Sequence, residues 1–186
     1  MLKIDNKKIR LRTKFIKQRR LIKNRGKKES EISQNLCNIL SSINLVISLY
    51  LSVRHEADLK KTAKVLYLNK KEVVLPVIKD SNSHLLFAKW KFGDELQKDK
   101  YNIKIPKKNI FLEPKILLIP MVAFDSKKNR LGYGGGFYDR TISFLEKKNK
   151  ILKFGIAFDE QESSKIPVNK FDKKMDAIFT QSRIII

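Results

Sequence analysis

Residues 116–146 read ILLIPMVAFDSKKNRLGYGGGFYDRTISFLE. An apolar run from Ile116 to Phe124 leads through a polar connector into four glycines, Gly132, Gly134, Gly135 and Gly136, and then into a stretch with apolar residues at Phe137, Tyr138, Ile142 and Leu145. The order is strand, loop, glycines, amphipathic helix. Four of the chain's seven glycines fall within five positions. Glycine accepts positive φ and close approach at a cost in chain entropy, so such density points to something lying against the loop. A helix N-terminus behind a glycine-rich loop offers unpaired N–H groups to an anion, and phosphate is the first expectation.

The known phosphate loops do not fit this register. The dinucleotide fingerprint needs glycine at its sixth position, which counted from Gly132 is Phe137, and no Gly-Lys-Ser or Gly-Lys-Thr closes a P-loop. Arg130 and Arg140 flank the glycines, Asp139 opens the helix and Asp125 closes the strand. Donors, cations and a carboxylate able to hold Mg²⁺ therefore stand close together.

Working outward, residues 8–22 read as a helix with Ile9, Leu11, Phe15, Ile16 and Ile22 on a broad apolar face. Lys8 and Arg12 lie on one side of it, with Arg19 two turns further along. Ser30 is expected to cap a second helix carrying Ile32, Leu36, Ile39 and Leu40. Strands are expected over residues 45–52, 73–78 and 85–89, with a helix over 58–68 between the first two. Pro76 argues for an irregular or edge position in its strand. Residues 93–113 are weakly patterned and read as long loops. Phe154, Ile156 and Phe158 mark a strand, and residues 177–180 a last one that the Ile184–Ile186 tail extends or flanks. This alternation predicts a single-domain α/β sandwich over 1–186. Its central sheet is mainly parallel and flanked by helices, Rossmann-like but without the dinucleotide fingerprint, with function at the loops beyond the strand ends.

At 186 residues the chain suffices for one domain with a substantial core. Its longest apolar run has nine residues, against the roughly 20 that a membrane span needs. No secretory h-region is visible in the first residues, and the one cysteine, Cys37, cannot form an internal disulfide. A soluble, cytoplasmic protein is expected. The net charge of +22, from 41 basic and 19 acidic residues, would suit nucleic acid, but the bases are spread along the whole chain together with abundant Ile and Asn. A bias toward AT-rich codons yields the same pattern, and the charge then favours anionic ligands only at long range.

The segment from Arg130 to Asp139, preceded by residues 122–125, closely resembles the signature of the 5-formyltetrahydrofolate cyclo-ligase family, also called methenyltetrahydrofolate synthetase. Matching blocks occur in family order along nearly the whole chain: Lys8 and Arg12 with Arg19, Leu51-Ser52 with Glu56, Trp90, residues 101–106, 155–158 and 167–177. The resemblance implies ATP-dependent cyclisation of 5-formyltetrahydrofolate to 5,10-methenyltetrahydrofolate, with release of ADP and phosphate. In that chemistry the formyl oxygen takes the γ-phosphoryl group, and N10 closes on the activated carbon as phosphate leaves.

By the same resemblance Lys8 and Arg12 would contact ATP phosphates. Arg130, Leu131, Gly132, Tyr133, Gly134, Gly135, Gly136, Phe137 and Tyr138 would wrap the triphosphate, with Arg130 and Tyr138 catalytic. Leu51, Glu56 and Tyr101 would line the folate pocket together with Tyr133, Gly134, Gly135, Gly136 and Phe137. Asp139 and Asp172 would hold Mg²⁺, with Asp176 the competitor for the second place. Phe137 replaces a commoner tyrosine, and Val53-Arg54-His55 stands in place of a Pro-Gly type of loop. The expected partner is the small-molecule folate, with no nucleic acid or membrane, and the chain is expected to act as a monomer. Competing expectations are a basic nucleic-acid-binding module, and an ATP-dependent phosphotransferase on another small molecule.

Overall fold

The computed structural model describes residues 2–108 and 110–186. Met1, in the basic N-terminal stretch, and Asn109, in the segment expected as loops, lie outside the described residues. The apolar run forms β6 (Ile116–Pro120), which is apolar throughout because both its faces are covered. Ile116 and Leu118 pack into the core on one side of the sheet, and Leu117 and Ile119 into the core on the other. The run is not one strand. After Pro120 the chain leaves the sheet, and β7 (Ala123–Phe124) pairs antiparallel with β8 (Arg130–Leu131). This hairpin delivers the glycines to α4 (Phe137–Glu146).

The other strands are β1 (Ile47–Ser48), β2 (Val73–Val77), β3 (Leu86–Lys89), β4 (Leu96–Lys98), β5 (Lys104–Pro106), β9 (Leu152–Ile156), β10 (Ala177–Phe179) and β11 (Ile184–Ile185). Seven of them form one sheet in the order β11-β10-β9-β6-β1-β2-β3. The five inner strands run parallel, and β3 and β11 close the edges antiparallel. Helix α2 (Arg25–Leu40) and helix α3 (Lys60–Leu68) contribute Leu36, Leu40 and Leu66 to one face, while α4 contributes Ile142 and Leu145 to the other. From β1 the chain proceeds through α3 to β2, and from β6 through α4 to β9, on opposite faces and in opposite directions. The strand order therefore reverses between β1 and β6, which is where an open α/β sheet leaves a crevice beyond its strand ends.

Four local expectations change. Helix α1 (Leu2–Arg20) begins earlier than residue 8. Helix α2 begins at Arg25 behind Asn24 in the left-handed region, and the Ser30 hydroxyl lies inside the helix, donating to the Gly26 carbonyl instead of capping. The polar 93–113 segment is not all loop, since β4 and β5 pair as a hairpin with Leu96 opposite Pro106. Pro76 is on neither edge strand. Val74 aims its carbonyl at Leu49 of the β1 chain, and Pro76, two residues on, faces the same way beyond the last β1 partner, so its missing N–H leaves no ladder bond unmade.

Candidate active site

Beyond the ends of β1 and β6 lies a cavity of about 830 Å³. Its walls come from α1, the residues after β1, the glycine loop with α4, and residues 169–173. Helix α1 reaches it because Phe15, with Leu11 and Ile16, packs on Val122, Ala123 and Leu131 of the β7–β8 hairpin. That packing turns Lys8 and Arg12 toward the glycines. Lys8, only 5% exposed, places Nζ 2.5 Å from Asp172 Oδ2, and Arg12 Nε donates to the Gly132 carbonyl at 2.9 Å.

The glycine loop needs its glycines at two points in particular. Gly134 has φ of 104° and Gly136, the residue before α4, has φ of 68°. A Cβ on Gly134 would lie 3.3 Å from Arg12 Cζ, and one on Gly136 2.7 Å from an Arg140 guanidinium nitrogen. The first intrahelical bond of α4 runs from Arg140 N–H to the Gly136 carbonyl. Among the described residues the N–H groups of Gly134, Gly135 and Gly136 find no protein acceptor, as expected of a row of donors left for a ligand.

Arg130, 8% exposed, donates to Asp139 Oδ1 at 2.6 Å, and the Lys173 N–H donates to the same oxygen at 3.1 Å. Its Nε is buried without a partner, and its guanidinium stands 5.9 Å from the Tyr138 ring centre. Burial first, then the Glu56 charge, push the Tyr138 hydroxyl far above the ordinary tyrosine range, so it serves only as a neutral donor or acceptor.

The wall after β1 is built around Glu56, which is 4% exposed. Its Oε2 accepts from the Val53 N–H at 3.0 Å. Burial raises the Glu56 carboxyl above the usual carboxylate range, with the Val53 bond and Arg19 acting in the opposite direction. Tyr50 shares this wall and anchors its hydroxyl on the Ala57 carbonyl at 2.9 Å. Leu51 also faces the cavity. Nothing in the sequence singled out Tyr50, because it lies between Leu49 and Leu51 in a short, mostly apolar run of strand length.

The cavity thus collects Lys8, Arg12, Leu51, Glu56, the whole 130–139 stretch and Asp172. Tyr101 is not among the residues lining it. It sits 42% exposed at the tip of the β4–β5 hairpin with Lys100 over its ring, and Ile103 and Lys104 reach the cavity instead. Asp176 also turns away, pairing with Lys153 at 3.4 Å and accepting from the Lys153 N–H.

Eight cationic side chains line the space against four carboxylates, which together with the free amides suits an oligophosphate. Among the described residues no group of three or more potential metal ligands exists. Asp139 and Asp172 would give a magnesium ion two carboxylates at most, with phosphate and water completing its shell, as is usual for that ion.

Comparison with known proteins shows the family and the fold. The profile of the 5-formyltetrahydrofolate cyclo-ligase family matches residues 4–181. The 5-formyltetrahydrofolate cyclo-ligase of Haemophilus influenzae is 33% identical over 151 residues, covering 77% of this chain and 80% of that protein. The Escherichia coli K12 protein of the same name is 33% identical over 144 residues, covering 74% and 79%. Among solved structures, the 5,10-methenyltetrahydrofolate synthetase of Aquifex aeolicus superposes with a TM-score of 0.79 at 24% identity, covering 95% of this chain and 91% of that one. The synthetase of Mycoplasma pneumoniae gives 0.75 at 22%, covering 94% and 98%.

Proposed function

The chain belongs to the 5-formyltetrahydrofolate cyclo-ligase family, and from that premise we propose that it closes 5-formyltetrahydrofolate to 5,10-methenyltetrahydrofolate at the expense of ATP, in the cavity between β1 and β6. The observation that carries the reading is the opposition of two unlike walls. On one side stand unpaired amides and buried cations; on the other stands a buried carboxylate among tyrosines. At about 830 Å³ the space lies toward the upper end of single-ligand pockets, roughly 300–1,000 Å³, and has room for two reactants side by side.

The amide oxygen of the formyl group is a poor leaving group; when it attacks the γ-phosphorus, the bond from that phosphorus to the β-phosphate oxygen breaks, ADP departs, and the phosphorylated oxygen becomes a good one. N10 then attacks the activated carbon, the C–O bond breaks, phosphate departs, and the N10 proton is lost. The chain's part is to align the reactants and neutralise phosphate charge. The amides of Gly134, Gly135 and Gly136 would face phosphate oxygens, and Arg130 would follow the charge on the transferring group from its fixed seat against Asp139. Lys8 and Arg12 would close the cradle from α1. Glu56 would accept N–H bonds from the pterin, with Leu51 packing on the ring. Tyr138 would supply a neutral hydroxyl. Asp139 and Asp172 would hold magnesium, which would supply positive charge. What favours a single domain over 1–186, acting as a monomer, is that α1 and the segment near residue 172 both wall the same cavity. The one free cysteine fits a reducing cytoplasm.

Neither the nucleic-acid module nor a different phosphotransferase finds support among the relatives. The test is to incubate the purified protein with 5-formyltetrahydrofolate and Mg-ATP and follow the methenyl product by absorbance. Arg130→Ala should lower turnover by roughly 10²–10³-fold with the fold kept by circular dichroism. Absence of product from the wild-type protein would overturn the proposal.

A further inference from the structure

Arg19 is the largest fully buried side chain, 1% exposed, and it does not line the cavity. An unpaired buried charge is strongly unfavourable; here both terminal nitrogens of the guanidinium are matched, while Nε has no partner among the described residues. The partners belong to three separate segments. Nη1 donates to the Met121 carbonyl at 3.0 Å, and Nη2 donates to the Arg54 carbonyl at 2.7 Å and to the Tyr133 hydroxyl. Tyr133 is held from both sides, with Arg19 5.6 Å and Arg54 5.1 Å from its ring centre.

The segment that Arg19 grips is strained. Arg54 and His55 adopt φ of 48° and 63° in succession, a left-handed pair that non-glycine residues rarely form. Something outside the loop must hold it there. Arg25 supplies part of that hold, donating to the His55 and Glu56 carbonyls at 3.0 Å each and to the Arg19 carbonyl at 3.3 Å. Arg19 supplies the rest and adds direction. Through its bonds to the Arg54 carbonyl and the Tyr133 hydroxyl it ties the loop bearing Glu56 to the glycine loop, and Glu56 and Tyr133 both line the cavity.

We propose that Arg19 is a positioning residue: it fixes the strained loop bearing Glu56 and holds Tyr133 by its hydroxyl, setting the folate half of the site without touching either reactant. The proposal rests on the family reading for the identity of the ligand. It does not rest on that reading for the clamp itself. The phosphate half has further supports in the Arg12–Gly132 bond and the start of α4, so loss of the clamp should act chiefly on the folate.

The test compares the wild-type protein with Arg19→Lys, Tyr133→Phe and the double variant. Each single change should raise KM for 5-formyltetrahydrofolate by about tenfold while KM for ATP moves by less than about twofold. The double variant should be no worse than the worse single one, since both remove the same chain of bonds. Hydrogen exchange should quicken in residues 53–58 of Arg19→Lys and stay unchanged in β6. Equal rises in both KM values, multiplicative effects in the double variant, or unchanged exchange at 53–58 would each overturn the proposal. If Arg19→Lys does not fold, Tyr133→Phe decides: a higher folate KM with faster exchange at 53–58 supports it, and neither change refutes it. Lack of turnover in the wild-type protein would defeat the family-based function and leave the exchange measurement to judge the clamp.

Discussion

Lys8 of the first helix meets Asp172 of the closing segment at 2.5 Å, across 164 residues of sequence. The pair joins a cation proposed for phosphate to a carboxylate proposed for magnesium, and Arg130 with Asp139 forms a second such pair. Within each pair the opposite charges neutralise each other. By the proposed function, nucleotide and metal entering together would take over both members of each pair, so that neither is left buried and alone.

Lys8→Ala therefore leaves Asp172 without its cation and the nucleotide without a contact. KM for ATP should rise by roughly tenfold. The upward shift of Tm on adding Mg-ATP, which reports binding to the folded state, should shrink relative to wild type in differential scanning fluorimetry. An unchanged shift would remove Lys8 from the phosphate site.

The glycines of the loop are not equivalent. Gly134 combines φ of 104° with a would-be Cβ contact to Arg12, whereas Gly135 has ordinary φ and would press only on the Phe137 ring at 3.0 Å. Gly134→Ala should cost on the order of 1–2 kcal/mol of stability and raise KM for ATP by dislodging Arg12. Gly135→Ala should cost less, because a partly buried ring can shift. Urea unfolding of the two variants checks the order.

The features legible in the sequence were those with strong periodicity or unusual composition. The doubly covered strand β6, the amphipathic α4 and the clustered glycines carry their explanation within a few neighbouring residues. The β4–β5 hairpin was not legible, since three-residue strands such as Leu96–Lys98 offer too little alternation to register. The start of α2 was hidden because Asn24 initiates it with a left-handed backbone and no side-chain cap bond. Arg19 and Arg25 look like ordinary solvated helix charges until the fold brings distant carbonyls to them. Tyr101 fell short for a related reason: its distance from the cavity depends on how the hairpin is placed, which no local pattern encodes.

Glu56 carries a pH dependence with a definite sign. Burial lifts its carboxyl above the unfolded value, so between the two values the folded protein binds more protons than the unfolded chain, and stability falls as pH rises through that window. At neutral pH the ionised carboxylate is a net cost in stability, retained for ligand binding. Glu56→Gln should then show a Tm at pH 7.5 no lower than wild type, with the acid-side slope of Tm against pH reduced. Its kcat/KM for 5-formyltetrahydrofolate should fall at neutral pH. Wild-type kcat/KM should decline as pH drops through the raised value.

Asp172 and Asp176 lie four residues apart and are chemically identical, but the fold gives them different tasks. Asp172 lines the cavity, with Oδ2 accepting from the Asn169 N–H at 2.6 Å as well as from Lys8. Asp176 faces Lys153 on β9, accepting its N–H at 2.8 Å where β10 begins, and so secures the register between β9 and β10. Asp172→Asn should raise the magnesium concentration needed for half-maximal activity and, by leaving the buried Lys8 without its carboxylate, lower urea stability as well. Asp176→Asn should lower stability by about 1 kcal/mol, the usual worth of a lost hydrogen bond, with the magnesium requirement unmoved. The reverse pattern in a magnesium titration would reassign the second metal carboxylate to Asp176.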